Sequence, residues 1–140
     1  MAEKNDKCIF CLIVQGKIPC FKVYETEHSL AFLDIGPVSE GHTQVIPKRH
    51  ARTLLDMRDE DLADIGPAIK KVAQMTGAEQ YNILQNNGKL AFQHVDHVHF
   101  HVIPKPNTEK GLLMSEQVWP RVEVPKEELA ETLRKMQTRL

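Results

Sequence analysis

The chain has 140 residues and a formal charge of −1, with 41% hydrophobic and 26% charged residues. That is the length of one domain with enough apolar content for a core, which excludes a disordered chain. There is no net positive field for a long nucleic acid and no apolar run near the ~20 residues that span a bilayer, so neither partner is expected.

The start, Met1 to Lys7, carries both signs of charge and lacks the apolar centre of a secretory signal. Three cysteines, Cys8, Cys11 and Cys20, are too few for a disulfide framework, and the odd count suits a reducing compartment. Cytoplasmic residence is the expectation, with the nucleus as an additional address. From Asn5 to Gln15 a short apolar segment, closed by Gly16 and Pro19, reads as a short helix or a turn. Lys22 to Glu25 and Ser29 to Asp34 are β-like runs split by a polar turn, a hairpin pattern. A loop from Ile35 to Gly41 leads to a third strand, His42 to Ile46, halted by Pro47.

The period then changes. Leu62, Ile65, Ile69, Val72, Ala73 and Met75 recur at three and four, the spacing of an amphipathic helix with acids early and lysines later. Gly77 can end it, and Gly66-Pro67 is expected to kink it or cut it in two. Tyr81 to Gln85 and Val98 to Val102 read as two more strands. A final helix starts at Pro125 and carries the stripe Leu129, Leu133, Met136 and Leu140. Five strands with helices inserted give an α+β domain around an antiparallel sheet, covering residues 1–140, with a core over about 7–120 and the last helix over about 125–140.

Four of the seven histidines crowd between His94 and His101. In His97-Val-His-Phe-His-Val-Ile103 imidazoles alternate with Val and Phe. Residues two apart on a strand share a face, so His97, His99 and His101 line one face while Val98, Phe100 and Val102 enter the core. A helix would scatter the rings. His94 has the opposite parity and faces away if the strand extends that far. Aligned imidazoles serve phosphate chemistry, as nucleophile and hydrogen-bond donor, or they bind a transition metal. Cys8-x-x-Cys11 alone is a modest metal signal.

That histidine string resembles the signature of the histidine triad (HIT) superfamily of nucleotidyl hydrolases and transferases. Cys8 to Cys11, Ala31 to Asp34, Gly41 to His50, Gln85 to Gly88 and Trp119-Pro120 fall in the order that family has them. The match spans about Lys7 to Pro120. It is nearest the nucleotide-binding branch of purine nucleoside phosphoramidases, its fungal members in particular.

The resemblance implies a five-stranded HIT-like sheet, joined to a second across a homodimer, with Trp119 near the partner's site. It implies hydrolysis of purine nucleoside 5′-monophosphoramidates and aminoacyl adenylates to the monophosphate. His99 would be the covalent nucleophile, with His101 and His42 as the other catalytic histidines at the phosphate. Asp34 would bind the ribose, and Ile9, Phe10, Phe32, Leu33 and Ile35 would sandwich the purine. Asn86 and Gln93 would lie around the phosphate, where His94 replaces a frequent Ser of the animal relatives. A structural zinc on Cys8, Cys11, His50 and His97 is implied, and no organic cofactor. Alternatives are a dinucleoside polyphosphate hydrolase, a purine-nucleotide-binding scaffold without catalysis, and a histidine-rich metal carrier.

Overall fold

A computed structural model describes residues 7–140; the charged stretch Met1 to Asp6 and its bearing on a leader segment lie outside the described residues. Helix α1 (Ile9–Val14) is followed by strands β1 (Lys22–Glu25), β2 (Ser29–Leu33) and β3 (Thr43–Pro47). Helix α2 (Asp59–Thr76), β4 (Tyr81–Gln85), β5 (Phe100–Pro104) and α3 (Lys126–Gln137) complete the chain. The strands form one antiparallel sheet in the order β1-β2-β3-β5-β4. The α+β architecture expected from the sequence is therefore the one present.

The alternation of the strands divides two cores. Ala31, Val45, Val98 and Val102 point to the face covered by α2, where they meet Ile65, Ala68 and Val72. Leu30, Phe32 and Ile46 point the other way, against Cys8, Phe10 and Cys11 at α1. Val45, Ile46, Val72, Val98 and Val102 are fully buried, each worth roughly 1.5–3 kcal/mol relative to exposure. One strand residue in two thus holds the sheet to α2, and the next is left for the opposite face.

Helix α2 is not cut at Gly66-Pro67; it runs unbroken from Asp59 to Thr76. Gly66, Pro67 and Ala63 are all exposed. The carbonyl of Ala63, which Pro67 leaves without an N–H donor, therefore meets water, while Ile65 and Ala68 stay seated on the sheet. Gly77, at φ +71°, makes the left-handed turn that ends the helix. Leu62 and Met75 fall off the buried stripe and are exposed, and its N-terminal place is taken by buried Asp61. The Arg58 guanidinium holds that carboxylate through Nε at 3.0 Å and Nη2 at 3.1 Å.

Three strands differ at their ends from the sequence reading: β2 stops at Leu33 rather than Asp34, β3 starts at Thr43 rather than His42, and β5 runs to Pro104 rather than Val102. β3 includes Pro47, and β5 begins only at Phe100. His97, Val98 and His99 lead into β5, and the Val98 amide donates to the Ala51 carbonyl at 2.7 Å. Every residue from Leu113 to Leu140 is exposed, Trp119 and the apolar stripe of α3 included. Among the described residues no helix is long and apolar enough to cross a membrane.

Candidate active site

On the face opposite α2 a cleft of about 570 Å³ opens beside β5. Its walls include Ile9, Phe10, Phe32, Leu33, Asp34, Ile35, His42, Asn86, His99 and His101. The fold thus gathers ten of the eleven residues assigned from the sequence to catalysis or nucleotide binding. Gln93 does not line it. Its buried amide braces a loop instead, donating to the carbonyls of Arg52 and Val95 at 2.7 and 3.0 Å and accepting from the Gly88 amide at 2.7 Å.

His99 and His101 face the cleft, but His97, two residues earlier, does not. It is fully buried behind Phe10, whose ring stands edge-on to both His97 and His99 at 5.8 and 5.3 Å. So the parity expected of the three imidazoles holds, yet only two share the cleft. His94 also lines the cleft, because β5 does not extend back to impose its parity there.

Backbone contacts assign the protons. His99 Nδ1 lies 2.7 Å from the His97 carbonyl, which can only accept. Nδ1 therefore carries the hydrogen and Nε2 the lone pair. The Val38 amide donates to His42 Nδ1 at 3.2 Å, so in neutral His42 the hydrogen is on Nε2. That hydrogen points at His101 Nδ1, 2.9 Å away, which leaves His101 with its hydrogen on Nε2. Neighbouring rings 5.0 Å apart thus hold opposite tautomers, one with a lone pair and one with a donor at Nε2. Burial holds His42 and His99 below the ordinary imidazole range and pushes His101 down to about 4, with His99 and His42 adding to the shift on His101. All three rings are neutral at pH 7.

Asp34 follows β2 at the cleft wall. Its Oδ1 accepts from the Gly36 amide at 2.8 Å and its Oδ2 from Gln44 Nε2 at 3.0 Å. Each oxygen keeps a lone pair for a further donor such as a vicinal diol.

Two clusters among the described residues bring metal-binding atoms within 4.8 Å of one another: Cys8, Cys11, His50 and His97, and Asp34, His42 and His101. In the first, His97 Nδ1 lies 3.4 and 3.5 Å from the two sulfurs and His50 Nδ1 lies 3.3 Å from Cys11 Sγ. His97 Nε2–H donates to the Pro47 carbonyl at 2.8 Å, as the outer nitrogen of a metal-bound imidazole does. The second cluster has the opposite arrangement. The Val38 N–H occupies the place where metal-bound His42 would need its own hydrogen on Nδ1.

Gln44, Phe92 and Val38 also line the cleft and were not found from the sequence. Gln44 alternates correctly on β3 and sits opposite His101 in register, a signal that only the pairing makes readable.

The HIT domain family model matches residues 15–108. The chain belongs to the HIT domain family. It is 57% identical over 122 residues to adenosine 5′-monophosphoramidase hnt1 of Schizosaccharomyces pombe, covering 87% of this chain and 90% of that one. The crystal structure of a histidine triad nucleotide-binding protein from Candida albicans superposes with a TM-score of 0.87 at 41% identity, covering 94% of this chain and 95% of that one. A zinc-bound histidine triad family protein from Mycobacterium smegmatis superposes with a TM-score of 0.70 at 38% identity, covering 91% of each chain. The string His97 to Ile103 that enters β5 lies within the matched residues.

Proposed function

We propose that this HIT protein hydrolyses purine nucleoside 5′-monophosphoramidates and aminoacyl adenylates to the nucleoside monophosphate through a covalent nucleotidyl–His99. The opposite tautomers of His99 and His101 carry this reading: one ring offers a lone pair and its neighbour a hydrogen to the same small volume. The fungal relatives named adenosine 5′-monophosphoramidase support the same activity.

The purine lies between Ile9, Phe10, Phe32, Leu33 and Ile35, and Asp34 accepts the ribose hydroxyls. His99 Nε2 attacks phosphorus while the His97 carbonyl stabilises the positive charge that develops on the ring. His101 Nε2–H donates to a phosphoryl oxygen, and His42 holds His101 in the tautomer that can do so. The P–N bond breaks with its electron pair on nitrogen, which takes a proton from water and leaves as the amine. A second water then attacks phosphorus, His99 Nε2 recovers its pair, and the released proton returns to solvent. Asn86 Nδ2 donates to the Ala91 carbonyl at 2.7 Å, so it and Gln93 act by shaping the loop at the phosphate.

The Cys8, Cys11, His50 and His97 cluster fits structural zinc. Bond lengths of about 2.3 Å to sulfur and about 2.0–2.1 Å to nitrogen in a tetrahedron set S and N about 3.5 Å apart, matching the contacts here. Zinc would tie α1 to the approach of β5, away from the phosphorus. A homodimer is supported by the free edge of β4. Tyr81 and Ile83 are exposed there, and Ile83 pairs with Val102 and so stands on the α2 side. Joining two such edges would unite the sheets, and exposed Trp119 would reach the partner's cleft. Three free cysteines support the cytoplasm, with the nucleus as an additional location.

The test is to follow nucleoside monophosphate release from adenosine 5′-phosphoramidate and from a diadenosine polyphosphate with wild type and His99→Ala. Phosphoramidate turnover lost in the variant is expected. Equal rates in the two proteins would eliminate covalent catalysis by that ring, and faster cleavage of the polyphosphate would favour the alternative substrate class.

A further inference from the structure

The loop that leaves β4 contains a feature that phosphoramidate cleavage has not used. Phe92 has φ +70°, the only positive value among the described non-glycine residues. A bulky aromatic side chain in the left-handed region is an outlier, held only where surrounding contacts over-determine it. Those contacts are present: Asn86 grips the Ala91 carbonyl, and Gln93 grips Gly88, Arg52 and Val95.

What the strain achieves is placement. Phe92 is 71% exposed at the cleft wall, and His94 stands edge-on to its ring with centroids 4.2 Å apart. A ring so exposed contributes little to the core. The order of the strands decides which side of the phosphorus it faces. Strand β2, which carries Phe32 and Leu33 of the slot, lies on one side of β5, and β4, from which the loop departs, lies on the other; the loop returns to the α1–β2 cluster only at Val95. With the base in that slot and the phosphorus at His99, Phe92 and His94 are cleft-wall rings left for the remaining substituent.

We propose that Phe92 and His94 form a subsite for the leaving group, taking flat aryl or aryl-alkyl amines and acyl groups in preference to small ones. The inference rests on the phosphoramidate reading and adds its leaving-group class. Aromatic rings attract one another in offset or edge-to-face contact beyond the area they bury, so an aryl group gains where an amino group does not.

The experiment compares kcat/KM for adenosine 5′-phosphoramidate and its N-(2-phenylethyl) derivative in the full-length wild type, Phe92→Gly and His94→Ser. Glycine accepts the positive φ, so Phe92→Gly is compatible with the fold. The preference for the phenylethyl substrate is expected to fall roughly three- to tenfold in Phe92→Gly and by less in His94→Ser. An unchanged preference in both variants, with hydrolysis continuing, would overturn the subsite and leave the phosphoramidate reading intact. Wild type that hydrolyses neither substrate would overturn that reading itself.

Discussion

His42 Nε2 donates a hydrogen to His101 Nδ1 across 2.9 Å, and the direction of that bond is set from outside the pair by the Val38 amide. A backbone N–H cannot accept, so His42 has one neutral tautomer open to it, and His101 inherits the complementary one. Removing His42 frees His101 to take the wrong tautomer. His42→Ala is expected to lower kcat about 10- to 100-fold, a size usual for lost orienting partners and proton-transfer aids. Steady-state kinetics checks the rate, and nitrogen chemical shifts of His101 check the tautomer.

The acid side of the pH profile follows from burial. His42, His99 and His101 are all depressed below the ordinary value of 6.5, His101 to about 4. In the proposed mechanism the neutral forms are the productive ones, so kcat/KM should stay level as pH falls through 6.5 and decline only below it. Stability has the same sign. Between 6.5 and about 4 the unfolded chain binds protons at His101 that the folded one refuses, so stability present above 6.5 is lost as pH falls across that window. A pH–rate profile with its acid midpoint at 6.5 or above would contradict the assignment.

Zinc content discriminates the two clusters. Elemental analysis should find near one zinc per chain, lost in Cys11→Ser and retained in His42→Ala. With free zinc about 100-fold above its dissociation constant, a bound ion would contribute about 2.7 kcal/mol to stability. Chelation should therefore lower the unfolding midpoint of wild type and leave that of Cys11→Ser unmoved.

In the proposed mechanism Asp34 is the handle for the sugar. Asp34→Asn removes the charge that strengthens its hydrogen bonds, at about 1.5–3 kcal/mol for bonds to a charged group. Adenosine monophosphate should bind roughly 10- to 100-fold more weakly to the variant, while the 2′-deoxynucleotide loses less. Titration calorimetry with both nucleotides measures the difference. Equal losses would place the carboxylate away from the diol.

Periodicity by itself determined much of this molecule. A period of two assigned Val98, Phe100 and Val102 to the α2 side and the histidines to the other, and the alternation holds through the extended approach from His97 to His99 as well as within β5. The 3.6 period of α2 was equally plain. Its continuity through Pro67 was not, since that depends on Ala63 facing water, which is settled only when the helix docks.

Tertiary structure decided the rest, and the reason is the same at each point. His97 and His99 are indistinguishable in the string, yet the first turns to two cysteines some ninety residues earlier and the second to the cleft. Which nitrogen carries a hydrogen depends on Val38 and on the His97 carbonyl, backbone groups whose residue types leave no trace. Nor does a phenylalanine announce a positive φ, because its loop is held by Asn86 and Gln93 against its own preference. Local pattern specifies which face a side chain takes. Only packing between distant segments specifies what waits for it there.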